Sequence, residues 1–393
     1  MAIPVYVVPG LFGSGLWTQG KGRYGPPGTL IWSSKTRLTA YLLDPLRLDS
    51  DGLSPWPGVG TNLFPRGLYG AEDWKAMDNA LDNGNHVHVD FPYDWRLSFR
   101  VAAGLLAAAL EQAATQGQWA VVCHSAGAMV MLLTWIQLSD QAKAACLRVV
   151  WVDPSIAGSY DAVRGLAGGF YGMYGWGQLS AFLSAVVYSI DNAPFIAPDQ
   201  RTRLNAALAS WPSLYQLLPQ YKAQWQGLDP QGASVFDITR YVPAQQFLYQ
   251  KWMDEATAVQ ADIRIALSGT LPPSVRVIGD PAPTAQRLAK LAGDLTAADD
   301  YVYSNDGDGV VPSTRNVVPG AATLVIDPDH QSIPGSPDLT RRINDIIDRG
   351  LATDQMVPAP PIIVGPKALG PPANAPSVTI PGPFPASDSR PDP

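Results

Sequence analysis

The residues of this sequence best placed to do covalent chemistry are one serine, one late histidine and a pair of aspartates between them. Ser125 lies in VVCHSAGAMV, residues 121 to 130, between an apolar β-branched run and an apolar helical run. A serine hydroxyl is a weak nucleophile near neutral pH, so it needs an imidazole to take its proton and a carboxylate to orient that imidazole. Given both, it attacks a carbonyl carbon and carries the acyl group as an acyl-serine intermediate. Two readings of Ser125 compete on the local sequence. A serine in front of a helix can cap it, by accepting a hydrogen bond from an early backbone N–H. Alternatively QWAVVC is a buried strand, Ser125 sits on a tight turn and AGAMVMLLTWIQL is the next helix, an elbow that exposes the hydroxyl at the carboxyl edge of a sheet. The usual elbow is G-x-S-x-G, whereas C-H-S-A-G has Cys123 in place of the first glycine. Cysteine is among the smaller side chains, as a close approach of strand and helix requires.

In the α/β-hydrolase arrangement the chain order is Ser, then Asp or Glu, then His, and the sequence holds four histidines. His124 adjoins the serine, so its side chain diverges from that of Ser125. His86 and His88 precede the serine and alternate as strand positions do. His330, in IDPDHQSI after the apolar run ATLVI, is therefore the candidate base. Upstream of it, YSNDGDGVVP offers Asp306 and Asp308 in a glycine turn, where aspartates also hydrogen-bond their own backbone without catalytic meaning. Asp308, just before an apolar run, is the better-placed acid, with Asp306 as a support of the loop. The oxyanion that develops on the carbonyl oxygen needs N–H donors. Ala126, after the nucleophile, supplies one. VVPGLFGSG supplies the other: Gly10 and Gly13 let the backbone turn and leave the N–H of Leu11 facing inward. That loop contains no G-x-G-x-x-G and no G-K-S or G-K-T, so it does not read as a nucleotide site, and no cofactor is expected.

The chain of 393 residues, 46% apolar and 16% charged, is able to bury a large core. Its net charge of −7 comes without a basic cluster, which argues against nucleic acid as a partner. Cys123 and Cys146 make no disulfide framework and no zinc spacing, so no metal is expected; they fall at opposite ends of neighbouring strands. MAIPVYVVPG starts on a strand with no charged n-region, which reads as a cytoplasmic protein without a signal peptide. Residues 165 to 190 run 26 positions without a charge, longer than the roughly 20 that span a bilayer. Repeated glycines, Gln178 and the absence of a flanking basic excess make this run an apolar lid or pocket wall instead.

Apolar β-branched runs recur at residues 3 to 9, 86 to 91, 119 to 123, 147 to 153, 274 to 279 and 322 to 327. Continuous apolar strands alternating with helices predict a mostly parallel sheet covered on both faces, an α/β fold. The core is expected in two parts, residues 1 to 154 and 271 to 355, with an irregular lid-like insert at 13 to 75 and a cap at 155 to 270 where the strand signal disappears. Of the 37 prolines, 12 fall in residues 356 to 393, a composition that cannot build a core and reads as a disordered tail of unknown partner.

VYVVPGLFGSGL, FPYDWRL, CHSAGAM, WPSLYQLLP, NDGDGVVP and the late His330 occur in the order seen in the lecithin:cholesterol acyltransferase family, which the chain resembles over roughly residues 3 to 350. PYDWR is the most specific match. The resemblance implies Ser125 as nucleophile, Asp308 as acid, His330 as base, and Leu11 and Ala126 as oxyanion donors. It places Trp32 where the family has a lid near the acyl-ester site, and Phe12, beside Leu11, is the second candidate for substrate contact. Within PYDWR, Asp94 and Arg96 are expected to brace the elbow. Three departures are Cys123 in place of glycine, the lack of cysteines for a bridged lid, and the lack of a secretion signal. The implied activity is that of a serine-dependent lipase, esterase or O-acyltransferase acting on a phospholipid or other carboxylic ester, with peripheral contact to a membrane or micelle surface. The alternatives are a catalytically silent lipid-binding relative and a small-ester hydrolase.

Overall fold

The computed structural model describes residues 2–21, 25–32, 44–57, 62–68, 74–167, 199–219, 248–279, 282–288, 301–327, 330 and 332–351. The chain enters on β1 (Ile3–Val8) and then forms three short strands, β2 (Ser14–Thr18), β3 (Leu30–Trp32) and β4 (Leu63–Leu68). Helix α1 (Lys75–Asp82), β5 (His86–Asp90), α2 (Phe99–Ala114), β6 (Trp119–His124), α3 (Gly127–Trp135), the short α4 (Asp140–Ala144) and β7 (Cys146–Val152) follow. Between β7 and β8 (Ser274–Ile278) lie α5 (Tyr160–Leu166), α6 (Asp199–Ala209), α7 (Pro212–Gln216) and α8 (Gln250–Ser268). An antiparallel pair, β9 (Thr284–Leu288) with β10 (Tyr301–Ser304), precedes β11 (Ala322–Val325) and α9 (Pro337–Arg349).

The six apolar runs make one sheet in the order β11-β8-β7-β6-β1-β5, with every neighbouring pair parallel. A parallel sheet must bury both faces, and the strand residues divide accordingly. Trp119, Val121 and Cys123 of β6, with Val149 and Trp151 of β7, pack in one core with Ala103, Leu106 and Leu110 of the alanine-rich α2 and with all of α3. Ala120, Val122, Val150 and Val152 point to the other face, against Met77 and Leu81 of α1 and Leu339, Ile343, Ile346 and Ile347 of α9. From β1 the order runs to β5 on one side and to β6 on the other, which opens a crevice outside the carboxyl ends of β1 and β6.

The insert expected to be irregular contains a three-stranded antiparallel sheet, β3-β2-β4. Its strands are too short, or too interrupted by Pro65 and Gly67, to show an alternating pattern. The helices between β7 and β8 dock through buried hydrogen bonds. Gln216 of α7 accepts from the first N–H of α2, Phe99, at 2.8 Å and donates to the cap residue Ser98 Oγ at 2.8 Å. Trp211 donates from its indole to Leu46 O at 2.8 Å, and Ser210 Oγ accepts from Leu48 N at 2.9 Å, so the cap is also fastened to the first insert. Among the described residues no helix is long and apolar enough to cross a membrane. The uncharged run from residue 168 onward and the proline-rich tail lie outside the described residues.

Two glycines in helices should respond to alanine with opposite signs. A Cβ on Gly127, at the start of α3, would stand 2.6 Å from Val8 O and 2.7 Å from Pro9 O, both backbone atoms that cannot yield without parting α3 from β1. Gly104, exposed in the middle of α2, meets nothing nearer than Gln137 Oε1 at 4.0 Å. Urea denaturation should show Gly127→Ala destabilised by about 1–3 kcal/mol and Gly104→Ala stabilised by about 0.4–1 kcal/mol.

Candidate active site

The sequence folds locally so that Ser125 forms the turn between β6 and α3. Its φ of 52° lies in the left-handed region that L-residues with a Cβ avoid. The end of β7 and the link after it hold it there: its N–H donates to Val152 O at 3.0 Å, and its carbonyl accepts from Ser155 N at 3.0 Å. Gly127 admits the backbone of β1 against the first turn of α3. Cys123, one strand residue before the turn pair, is fully buried. Burial pushes its thiol well above the ordinary value, so it serves as a small neutral filler.

The structure brings Ser125, His330 and Asp308 together. Ser125 Oγ is 2.9 Å from His330 Nε2, and His330 Nδ1 is 2.6 Å from Asp308 Oδ2. With its Nδ1 proton given to the carboxylate, the imidazole turns an Nε2 lone pair to the serine hydroxyl. Asp308 is 1% exposed, and burial alone would raise its pKa. The His330 side chain and the N–H groups of Val311 and Val310, at 2.7 and 2.9 Å from Oδ1, outweigh that and hold it below the usual carboxylate range. Asp306 faces elsewhere, accepting from Thr314 N at 3.0 Å and from the Thr314 hydroxyl, as a brace of the loop. His124 does diverge from Ser125, but only to a second use: its Nε2 donates to the backbone carbonyl of His330 at 2.8 Å. Ser155 Oγ lies 3.1 Å from Ser125 Oγ. His86 instead joins β5 to α9, with Asn344 and Asp348 at 2.6 and 3.0 Å, and His88 pairs with Asp82 at 2.8 Å.

Leu11 follows the end of β1, and Ala126 follows the end of β6. Among the described residues no acceptor is found for either backbone N–H. The turn that carries Leu11 closes through Gly13 N to Gly10 O at 3.1 Å, and Phe12 takes a φ of 69°. Trp32 donates from its indole to Phe12 O at 2.8 Å. The rings of Phe12 and Trp32 are almost wholly buried and pack on each other, on Trp95 and, through Phe12 and Trp95, on Trp211, with centroids 4.6–5.9 Å apart. Both side chains thus stand behind the Leu11 turn.

PYDWR braces this turn rather than the elbow. Tyr93 OH donates to Pro9 O at 3.1 Å, Tyr93 N to Ser14 Oγ at 3.0 Å, and Trp95 Nε1 to Ser14 O at 3.1 Å. Asp94 and Arg96 form a two-pronged pair at 2.9 and 2.6 Å, and the free prong of Arg96 reaches Leu46 O at 3.3 Å. Arg96 therefore ties the strand-end loop to the first insert. A loop residue's partner depends on where distant turns fall, which the local sequence does not carry.

Sequence reasoning passed over Asp153. It follows β7 directly, is 3% exposed and takes a φ of 39°. Its Oδ1 accepts from Gly279 N at 2.9 Å, while Oδ2 lies 3.9 Å from His330 Nδ1. Burial, then the charge of Asp308, raise its pKa well above the carboxylate range. The available signal was LRVVWVD, a charged residue at the carboxyl end of the strand next to the serine strand. Asp153, Asp308 and His330 place ligand atoms within 4.8 Å of one another, as do Asp78, His88 and Asp90 at the surface. Both nitrogens of His330 are already engaged within the site, and Nδ1 of His88 is held by Asp82.

A parallel sheet whose strand order reverses at β1, with a left-handed serine on the strand–helix turn beside that crevice, is a specific architecture. The fold is that of an α/β-hydrolase. No family model and no curated protein matches the sequence. Among solved structures the chain is similar to one in the crystal structure of the Tle4-Tli4 complex, 13% identical, with a TM-score of 0.53 over 89% of this chain and 99% of that one. It is also similar to Bacillus licheniformis lipase BlEst2 in mature form, 14% identical over 88% of this chain and 92% of that one, TM-score 0.29. Esterase RhEst1 from Rhodococcus sp. ECU1013 is 12% identical over 88% and 91%, TM-score 0.28. At such identities a likeness speaks to the fold alone.

The two aspartates make opposite contributions to stability. Unfolded, Asp153 ionises near about 3.9; folded, it keeps its proton to higher pH. Between those values the native state binds the extra proton, so stability falls as pH rises, by up to about 1.4 kcal/mol per pH unit. Asp308, with its lowered pKa, stabilises above the ordinary value and loses that contribution as pH falls through its folded one. Asp153→Asn removes the first slope. Thermal unfolding followed by circular dichroism should therefore give a Tm gain over wild type at pH 8 that shrinks towards pH 4. A variant that loses more at pH 8 than at pH 4 would mean that Asp153 is folded as an anion.

Proposed function

We propose that the protein is a serine-dependent carboxylic ester hydrolase or acyltransferase that acts on a lipid ester through an acyl-Ser125 intermediate. The observation that carries this reading is the hydrogen-bonded line from Ser125 Oγ through His330 to Asp308, at 2.9 and 2.6 Å, flanked by the open N–H groups of Leu11 and Ala126. His330 Nε2 takes the hydroxyl proton as Oγ adds to the carbonyl carbon, and Asp308 stabilises the imidazolium that results. The oxyanion is received by the Leu11 and Ala126 N–H groups. Collapse expels the alcohol, which leaves with the proton from His330. Water, the acceptor we favour, or a second alcohol then repeats the steps in reverse order on the acyl-enzyme, and the choice decides between hydrolysis and transfer.

The lipid assignment rests on two sequence features. The motif order resembles that of the lecithin:cholesterol acyltransferase family, and residues 165 to 190 carry no charge in the interval between β7 and β8. In this reading acyl chains pack on the apolar side chains of that run. Phe12 and Trp32, on the same reading, pack behind the oxyanion turn and hold its shape.

Two measurements test these statements. A fluorophosphonate probe should label Ser125, and Ser125→Ala should lose labelling together with activity, by a factor on the order of 10⁶ on the subtilisin scale. Retention of more than a few per cent of the activity would restore the helix-cap reading. Across a series of p-nitrophenyl esters, each added methylene should raise kcat/KM roughly three- to fourfold until the acyl site is full, at about 0.8 kcal/mol per buried CH₂. An enzyme fastest on acetate and indifferent to micelles would be a small-ester hydrolase instead.

A further inference from the structure

The proposed mechanism leaves one buried carboxyl at the site without a task. Asp153 and Asp308 bracket the same nitrogen, with Oδ2 atoms 3.9 and 2.6 Å from His330 Nδ1. They reach it from separate parts of the chain, Asp308 from the turn after β10 and Asp153 from the end of β7. Neither is there by loop looseness: Asp153 Oδ1 is fixed by Gly279 N–H at 2.9 Å, and its backbone is held at a φ of 39°. Asp153 Oδ2, buried, has no hydrogen-bond partner among the described residues.

The surrounding charges decide how the two carboxyls share the site. Asp308 accepts three N–H donors, from Val310, Val311 and His330. Asp153 accepts only that of Gly279. Arg276, on β8, bears its positive charge on both Asp153 and Asp306, while donating to Ser313 O at 3.0 Å. His124 faces the backbone carbonyl of His330 rather than either carboxyl. Two carboxylates against one imidazole in a buried site do not both ionise, because like charges at low dielectric repel strongly. The better-donated Asp308 keeps the charge, and Asp153 keeps a proton.

We propose that Asp153 is a second orienting carboxyl of this site, neutral beside the anionic Asp308 in the intact protein and ionised in its place when Asp308 is lost. In the intact pair one proton and one negative charge are shared, with the proton on Asp153 and turned toward the Asp308 carboxylate. In Asp308→Asn the repulsion that adds to burial in keeping Asp153 neutral is gone, and His330 is left with Asp153 as the carboxyl beside its Nδ1. Asp153 then releases its proton to solvent, the site keeps its single negative charge, and the carboxylate accepts the Nδ1 proton of His330. Asp153 is thus a positioning residue, acting on the reaction through the base.

This inference rests on the ester-transfer reading above, and a double-mutant cycle tests it. With a p-nitrophenyl ester, Asp153→Asn should lower kcat a few-fold and Asp308→Asn about 10²-fold. The double variant should fall by about 10⁴, the scale for a serine protease whose orienting acid is replaced with no substitute. A double variant no slower than Asp308→Asn overturns the proposal, and so does an Asp153→Asn as damaging as Asp308→Asn. A second reading needs neither turnover nor the double variant. In the proton NMR spectrum of Asp308→Asn, the downfield Nδ1–H resonance of His330 should persist; its loss overturns the proposal. If the ester-transfer reading itself fails, the wild type neither takes the fluorophosphonate nor turns over esters, while the NMR result still decides the role of Asp153.

Discussion

Ser125 holds a left-handed backbone angle at the end of β6 because the ends of β1 and β7 close around that turn. A φ of 52° on a residue with a Cβ costs of order 1–3 kcal/mol and persists where the surroundings over-determine it. Here β7 takes the Ser125 N–H at Val152 O and returns Ser155 N to the Ser125 carbonyl. On the other side β1 presses Val8 O and Pro9 O against the missing Cβ of Gly127. The strain is local, but its supports are the parallel register of β1, β6 and β7. That register follows from apolar runs that must be buried on both faces.

The same sheet edge collects the other polar groups. Leu11 comes from the end of β1, Ser125 from β6, Asp153 from β7, and the turn with Asp308 lies beyond β8. His330 follows β11 at the sheet's far side, and three contacts draw it back to the centre: Asp308 at Nδ1, Ser125 at Nε2 and His124 at its carbonyl. His124 and Ser125 are neighbours in sequence that point apart, so one strand end holds both the backbone carbonyl of His330 and the hydroxyl beside its Nε2. Such preorganisation matters because a hydroxyl and an imidazole react only when already within hydrogen-bond reach.

The six parallel strands were legible because each is a short run rich in valine, isoleucine or other apolar residues, and the meeting of Ser125, Asp308 and His330 because His330 is the one histidine after the serine, with the YSNDGDGVVP turn between them. The three strands of the first insert were not. SGLWT and LIW are shorter than one alternating period can reveal, and LFPRGL carries a proline and a glycine. The pair TAQRL and YVYS is equally brief. Asp153 escaped for a different reason: its meaning comes from lying beside Asp308, a turn contributed from far along the chain. PYDWR was assigned to the wrong neighbour for the same cause, since its motif is local and its partners, Pro9, Ser14 and Leu46, are not.

The short link after β7 joins the elbow, the acid turn and the cap into one hydrogen-bonded unit. Ser155 touches Ser125 through both backbone and hydroxyl. Ala157 N donates to Asn316 Oδ1 at 2.7 Å, and Ser159 Oγ donates to Val310 O at 2.8 Å, the carbonyl of a residue whose N–H holds Asp308. Ser159 N donates to Leu217 O at 2.8 Å, at the end of α7. Gly158, with a φ of 79°, lies so close to Leu217 O and Leu218 O that a Cβ would stand 2.6 Å from each. The cap is therefore seated on the link that also sets the acid turn, and α7 is in turn anchored by Gln216 to the first N–H of α2. Packing that closes the cap and packing that aims the carboxylate are the same set of contacts. Backbone groups at residues 155 to 159 and 217 to 218 therefore hold α7 and the Asp308 turn in one set of contacts.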